Sequence, residues 1–405
     1  MSAMNAGLVE IADCPTVTPR PDDISDHDYI AMLSTLGPVV RDRNGILVTF
    51  TQESLTLSND PALTRQIETE TMDLLGITSG PVYDLFSGSM LFSNDQRHRA
   101  RRTPMARIFA HRMMNAIRPE IRKRARDLIR PGLGKPCFDF LDNVAGQLPA
   151  RIIAMILGAP ERDVPHFTKL VYSAIRALSI RSISVMADAA KDLGELNAYC
   201  DDLLAARRAE PCADFLSDYV ARTKDADLTE HEIRTQIVTL ILAGADTTRL
   251  AICSTVSQLL QHPEQWSVLR ADPEVWVQAA AAEGLRYDPV IGAHLRAVTS
   301  DFAYRGVHVP AGTMLGPSVL AALRDPDVYA EPNTFNMERT DHPRLHPVFG
   351  AGAHRCLGEA LARAELEECL VALAELTPAP SLVGAPPQIT GLGATRSIDQ
   401  MTVRL

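Results

Sequence analysis

The stretch Phe349-Gly350-Ala351-Gly352-Ala353-His354-Arg355-Cys356-Leu357-Gly358 constrains this chain more than any other. A single cysteine sits among glycines and alanines, just before a helical pattern from Glu359 to Leu373. Small residues beside it let a flat, bulky group approach the backbone closely. The helix start that follows offers unpaired N–H groups and the positive end of a dipole, both of which favour a thiolate. Such a thiolate can be the one protein ligand of a haem iron. A buried free cysteine is the other reading of the same residues.

The ten residues resemble the haem-binding signature of the cytochrome P-450 family, Phe-Gly-x-Gly-x-His-x-Cys-x-Gly, at every specified position. Ala362, Arg363 and Glu365 fit the continuation of the family's helix. The resemblance implies Cys356 as the axial thiolate of a haem b and His354 near a haem propionate. It places the Phe349 ring on the cysteine side, with Gly350 and Gly358 lining the same loop. It also implies a mainly α fold with small β regions, the haem lying between a long central helix and the cysteine-loop helix.

Further motifs stand in the family's order. Leu228 to Glu232 reads as a helix start with acids in its first turn. The helix runs on to Leu260, with Ala243-Gly244-Ala245-Asp246-Thr247-Thr248 at its most apolar point. Gly, Asp and Thr are poor helix formers, and polar groups there are costly unless satisfied. A local rule broken in such a place points to function; a kink with a satisfied Thr is the plainer alternative. The resemblance implies that this segment crosses the oxygen-binding face of the haem. Ala243 and Gly244 then leave room for dioxygen, Thr247 hydrogen-bonds to it, and Asp246 supplies protons.

Glu283 and Arg286 are three apart and share a helix face, within a helix from Val275 to Tyr287. They resemble the family's Glu-x-x-Arg pair, and Arg339 its usual third member. His98 and Arg102, four apart on a helix beginning at Asp95, can bind the anionic edge of a cofactor. The family has propionate ligands at this spacing. Arg296 occupies the position of another propionate ligand, in an expected strand from Val290 to Val298. The start of that strand implies substrate contacts for Val290, Ile291 and Ala293. His294 nearby reads as a pocket-edge or surface residue.

The 405 residues, 46% of them hydrophobic, carry enough apolar mass for a large core. No linker, repeat or low-complexity tract divides them, so residues 1–405 read as one domain, with 1–29 irregular. The seven cysteines are scattered, odd in number and without paired metal spacing, which fits a reducing compartment. No basic-then-apolar leader and no apolar run near a membrane span is evident, so a cytoplasmic protein with no membrane partner is expected. The net charge of −10 argues against nucleic acid. Against that balance, the segment from Arg97 to Arg130 holds twelve Lys/Arg and two acids. Such a patch suits an acidic protein partner; a solvated face with some internal ion pairs is the alternative.

Strands are expected at Gly37–Arg41 and Ile46–Phe50 around a turn at Arg43-Asn44-Gly45, followed by a short helix from Asn59 to about Glu68. Thr71 to Asn94 reads as a mobile loop, which the resemblance puts over the substrate pocket. His166–Leu178 and Ser182–Leu196, broken near Ser179, would form the family's lid.

The activity implied is that of a haem-thiolate monooxygenase, acting as a monomer on a small or medium apolar substrate by hydroxylation or oxidative demethylation. Electrons would come from a [2Fe-2S] or similar ferredoxin with its NAD(P)H reductase, docked on the basic segment. A haem-binding recruitment or sensor protein, and a peroxide-driven enzyme, are the alternatives. The Asp246–Thr247 pair argues against both.

Overall fold

The computed structural model describes residues 7–21, 23–109, 114, 116–175 and 183–405. In chain order its helices are α1 (Asp26–Ser34), α2 (Gln52–Leu57), α3 (Glu70–Leu74), α4 (Pro81–Gly88), α5 (Asp95–Ala106), α6 (Arg118–Ile129), α7 (Gln147–Ile156), α8 (Val164–Ala174), α9 (Ile183–Ala209), α10 (Phe215–Thr223), α11 (Glu230–Gln261), α12 (Pro263–Ala271), α13 (Pro273–Tyr287), α14 (Val319–Ala322) and α15 (Glu359–Leu376). The strands are short: β1 (Val39–Arg41), β2 (Leu47–Thr49), β3 (Thr64–Gln66), β4 (Phe138–Asp139), β5 (Arg296–Val298), β6 (Phe302–Tyr304), β7 (Val307–Val309), β8 (Met314–Pro317), β9 (Ser381–Leu382), β10 (Ile389–Thr390), β11 (Ser397–Ile398) and β12 (Thr402–Arg404). Two compact units share these elements. The first takes Met1–Ile67, Ala282–Cys356 and Gln388–Asp399, and the second the remainder.

The first unit is built on a five-stranded sheet, β1-β2-β8-β5-β3. The expected hairpin forms: Asp42 Oδ1 accepts from the Asn44 and Ile46 amides, and Gly45 takes φ +82°. Val39, Leu47, Val298 and Leu315 from the sheet pack with Tyr304 and Val309 into one apolar cluster.

Three expectations need correction in this unit. The helix placed at Asn59–Glu68 is a turn leading into β3. The helical turn comes earlier, as α2, capped by Thr51 accepting from the Ser54 amide. The Asp60 carbonyl then takes the Leu63 and Thr64 amides and turns the chain into pairing with β5. The strand expected at Val290–Val298 pairs regularly only from Arg296. Before it, Ile291 and Ala293 make isolated bridges to Thr395 and Ser318. Gly292 interrupts the ladder by donating to Gly393 and Ala394, and it lies so close that a Cβ would stand 2.5 Å from the Gly393 oxygen. The N-terminal segment is structured earlier than residue 29, with Val9 bridging Val307 and α1 starting after the Ser25 cap.

The second unit is helical, with the three-stranded sheet β4-β12-β9 beside it. Its axis is α11, 32 residues long and opened by a capping box between Thr229 and Glu232. α7, α8, α9 and α15 pack against it. By length and composition alone α11 would pass for a membrane span, contrary to expectation; most of it is buried inside the protein, as a core helix is. Thr71–Asn94 is also not a loop. It forms α3, α4 and a 3-10 turn at Met90–Phe92, with Pro81 at the first position of α4. α8 is described to Ala174 and α9 from Ile183, so the expected break near Ser179 lies outside the described residues.

Candidate active site

In the first unit the cysteine loop is folded by its own backbone. The Cys356 amide donates to the Phe349 carbonyl at 2.8 Å, and Arg355 Nη1 donates to the Gly350 carbonyl at 2.7 Å. Gly350 and Gly352 sit at φ +69° and +64°, a region other residues rarely adopt. The result presents Cys356 as an exposed thiol, whereas Cys14, Cys200, Cys253 and Cys369 are buried. His354 lies half-buried in a 3-10 turn of this loop, Gly352–His354. The half-buried Phe349 ring meets His346 edge-on at 6.0 Å.

His346 leads back to the expected ion cluster through its ring, which bonds to the Ala282 carbonyl at 3.0 Å. Next in chain, Glu283 receives Arg286 through two bonds, Nε at 2.7 Å and Nη2 at 2.8 Å, and neither side chain exposes any surface. Arg286 also donates to the Leu323, Pro332 and Thr334 carbonyls. Arg339 Nε completes the cluster, 3.3 Å from Glu283.

Arg296 is buried differently. Its partners are Ser58 O, Gln66 Oε1, Leu295 O and Asn59 Oδ1, all neutral oxygens. Burial pulls its pKa down to about 10. His294 is half-buried, not a surface residue; burial, then the Arg296 charge, pushes it down to about 3. Among the described residues its enclosed Nδ1 has no hydrogen-bond partner. Val290 and Ala293 are buried and Ile291 half-buried on the bridged segment.

In the second unit, α5 divides its cations between two faces. His98 is buried; burial, with the charges of Arg102 and Arg99, pushes it down to about 4. Arg102 is half-buried one turn on. Arg101 turns instead to Glu232, with Nη2 at 2.8 Å, and to the Ser87 and Ser89 carbonyls. Arg101 is therefore an internal clasp and not docking surface. Most of the basic segment is similarly engaged: Arg97 by Glu232, Arg118 and Arg122 by Glu367 and Glu368, Arg124 by Glu120, Arg126 by Glu375, Arg130 by Asp127. Arg99, Arg107 and Lys123 remain exposed; Arg112 lies outside the described residues.

At the middle of α11, Ala243, Gly244 and Thr247 are half-exposed while Ala245, Asp246 and Thr248 are buried. The three half-exposed residues share one face of a helix that is mostly buried. Thr247 Oγ1 donates to the Ala243 carbonyl at 2.8 Å, a local bond that satisfies the hydroxyl. A Cβ on Gly244 would lie 3.2 Å from Ile153 Cδ1, so this glycine also lets α11 pack on α7. Asp246 is bonded by Arg249. Sequence reasoning passed over Arg249, although its i,i+3 spacing from Asp246 was the available signal. On α15, burial pushes the Glu365 carboxyl well above the usual range. Gly358 is the N-cap of that helix.

These residues fit a haem. Within the first unit an exposed thiol is held by a tight loop, and the described partners of the buried Arg296 charge are neutral oxygens alone. Among the described residues no group of three or more His, Cys, Asp or Glu is placed to hold a bare metal ion.

The cytochrome P450 family model matches residues 185–375. The chain is 37% identical over 391 residues to the plant-inducible cytochrome P450-pinF1 of Rhizobium radiobacter, covering 95% of this chain and 91% of that one. It is 31% identical over 316 residues to luteothin monooxygenase of Streptomyces thioluteus, 77% of each. The crystal structure of CalO2 superposes with a TM-score of 0.84 at 26% identity, covering 94% of this chain and 95% of that one. The chain belongs to the cytochrome P450 family, monooxygenases that bind haem iron through a cysteine thiolate and take a substrate, O2 and electrons from a redox partner.

Proposed function

We propose that this P450 inserts one atom of O2 into a small or medium apolar molecule, by hydroxylation or oxidative demethylation. The observation that carries the reading is the half-exposed face Ala243–Gly244–Thr247, with Asp246 beside it, inside a buried apolar helix. Bound haem supplies O2 activation through its thiolate. Cys356 is the ligand. Arg296, His98, Arg102 and His354 hold the propionates, and Phe349, Gly350 and Gly358 shape the loop beneath. Thr247 holds and directs a proton, and Asp246 carries protons inward from solvent. Val290, Ile291 and Ala293 contact the substrate. Glu283, Arg286 and Arg339 keep the fold around this loop.

Electrons come from a [2Fe-2S] or similar ferredoxin and its NAD(P)H reductase. None of the seven cysteines is in a disulfide, which supports a cytoplasmic setting, and the chain acts as one domain and as a monomer. The docking surface is smaller than the charge count implies. It consists of the exposed cations Arg99, Arg107 and Lys123, the last lying 3.9 Å from Glu120, which it shares with Arg124. Charge reversal there should raise the ferredoxin concentration for half-maximal turnover, more at low salt.

The direct test is Cys356→Ser, which should abolish the reduced carbon monoxide band of thiolate ligation; an unchanged band overturns the assignment. Thr247→Ala should keep substrate binding but lower product formed per NADH by about tenfold. NADH-driven turnover with a surrogate ferredoxin, compared with peroxide, separates this reading from the peroxide-driven one. A compound panel titrated against the haem band identifies the substrate.

A further inference from the structure

Asp246 is held by a built seat. Three residues on along α11, Arg249 turns both Nε and Nη2 onto one carboxylate oxygen, Oδ1, with Nε at 3.0 Å. Among the described residues no hydrogen bond ends on the other oxygen, Oδ2. The Arg249 guanidinium lies over the Tyr172 ring of α8, 4.9 Å from its centroid. Tyr172 is fixed in turn, its hydroxyl donating to the Gly146 carbonyl at 2.7 Å. Gly146 follows a π turn at Leu141–Ala145 and donates back to the Leu141 carbonyl at 2.7 Å. A Cβ at Gly146 would lie 3.1 Å from that carbonyl and 3.7 Å from both Arg249 and Tyr172. Side chains and backbone from α8, the π turn and α11 thus meet around one guanidinium.

We propose that Arg249, seated on Tyr172, is a positioning residue that fixes which oxygen of Asp246 handles protons. The proposal rests on the reading of Asp246 as the proton carrier and adds how that carboxylate is aimed. A carboxylate rotates easily about its last torsion, so two unpinned oxygens would be interchangeable. Pinning Oδ1 with two N–H groups removes that exchange and leaves Oδ2 to accept and release protons. A planar fork is required, because one face must stack on the ring while the edge donates twice to one atom. Lysine offers the charge without the plane. Burial works against a charged guanidinium here, yet the Asp246 carboxylate holds its pKa above the ordinary value. Burial also pushes Tyr172 up, so it stays a neutral hydroxyl donor.

The experiment compares holoenzyme variants R249Q, R249K, Y172L, D246N and D246N/R249Q. Each is driven by a surrogate [2Fe-2S] ferredoxin with the panel compound that shifts the haem band most. R249Q should turn over about tenfold slower with unchanged affinity for that compound and a larger solvent deuterium isotope effect. R249K and Y172L should fall between R249Q and the parent, and D246N/R249Q should be no slower than D246N. Melting temperatures of the same set give a readout independent of activity: the R249Q and D246N shifts should fail to add. If D246N slows turnover but R249Q and R249K match the parent, the positioning role is overturned and the Asp246 reading stands. A D246N/R249Q enzyme slower than D246N by the full R249Q factor overturns it too. If D246N itself equals the parent, the underlying reading falls.

Discussion

Arg286 and Arg296 are both buried arginines of the same unit, ten residues apart in sequence, and their surroundings are opposite. Arg286 meets a carboxylate through two bonds and three carbonyls besides, so the protein satisfies it completely. Arg296 meets only neutral oxygens, and its pKa sinks to about 10. Burying a charge without a counter-charge is unfavourable. A chain that keeps such a group is using it for something outside the fold. On the function proposed above, that difference assigns Arg286 to the fold and Arg296 to the cofactor.

The comparison breaks first at Glu283. Glu283→Gln leaves Arg286 enclosed without its counter-charge and should destabilise the holoprotein by about 3–5 kcal/mol, read by urea unfolding. A loss below about 1 kcal/mol would mean the cluster is not the closed unit the geometry describes. Arg296→Met should behave in reverse. Its stability cost should be about 1 kcal/mol, because lost hydrogen bonds are offset by relief of a buried charge. Haem transfer to an acceptor globin should nevertheless speed up by about tenfold. If the methionine variant unfolds as easily as the Glu283 variant and keeps its haem, the contrast is false.

The last effect lies beside Arg296 and is confined to acid pH. His294 has a folded pKa of about 3, below the ordinary 6.5. The unfolded chain therefore binds the extra proton first as pH falls. His294 contributes nothing pH-dependent above pH 6.5, and stability drops between that value and about 3. The loss should be of order 2 kcal/mol, and His294→Asn should flatten that limb of the stability profile. Equal slopes in the two proteins would show that His294 takes up its proton equally in the folded and unfolded states.

What could be read beforehand followed from local chemistry. The Glu283–Arg286 pair and the acidic first turn of α11 are legible locally, one by spacing and one by composition, and both form as expected. The failures have a common cause, which is partners distant in sequence. Thr64–Gln66 becomes a strand because β5 lies alongside, and Gly292 breaks a ladder because residues 393 and 394 claim its amide. The basic segment misled in the same way. Its charge was countable, but Glu232, Glu367, Glu368 and Glu375, which neutralise much of it, lie more than a hundred residues away. Arg249 was missed for the same reason: one half of its seat, Tyr172, comes from another helix.

Glu232 carries a consequence of its own. It accepts from Thr229 at the opening of α11, and the same carboxylate grips Arg97 and Arg101 of α5. Burial would raise its pKa, but the Thr229 amide and Arg101 outweigh this and bring it down to about 2. Helix ends ordinarily fray, opening and closing independently of the rest. Here the first turn of the longest described helix cannot open without releasing the helix that carries His98 and Arg102. Amide hydrogens at 230–234 should therefore exchange in step with those of α5. One buried oxygen pair makes the two helices a single cooperative unit, joined at their solvent ends as well as through their sides.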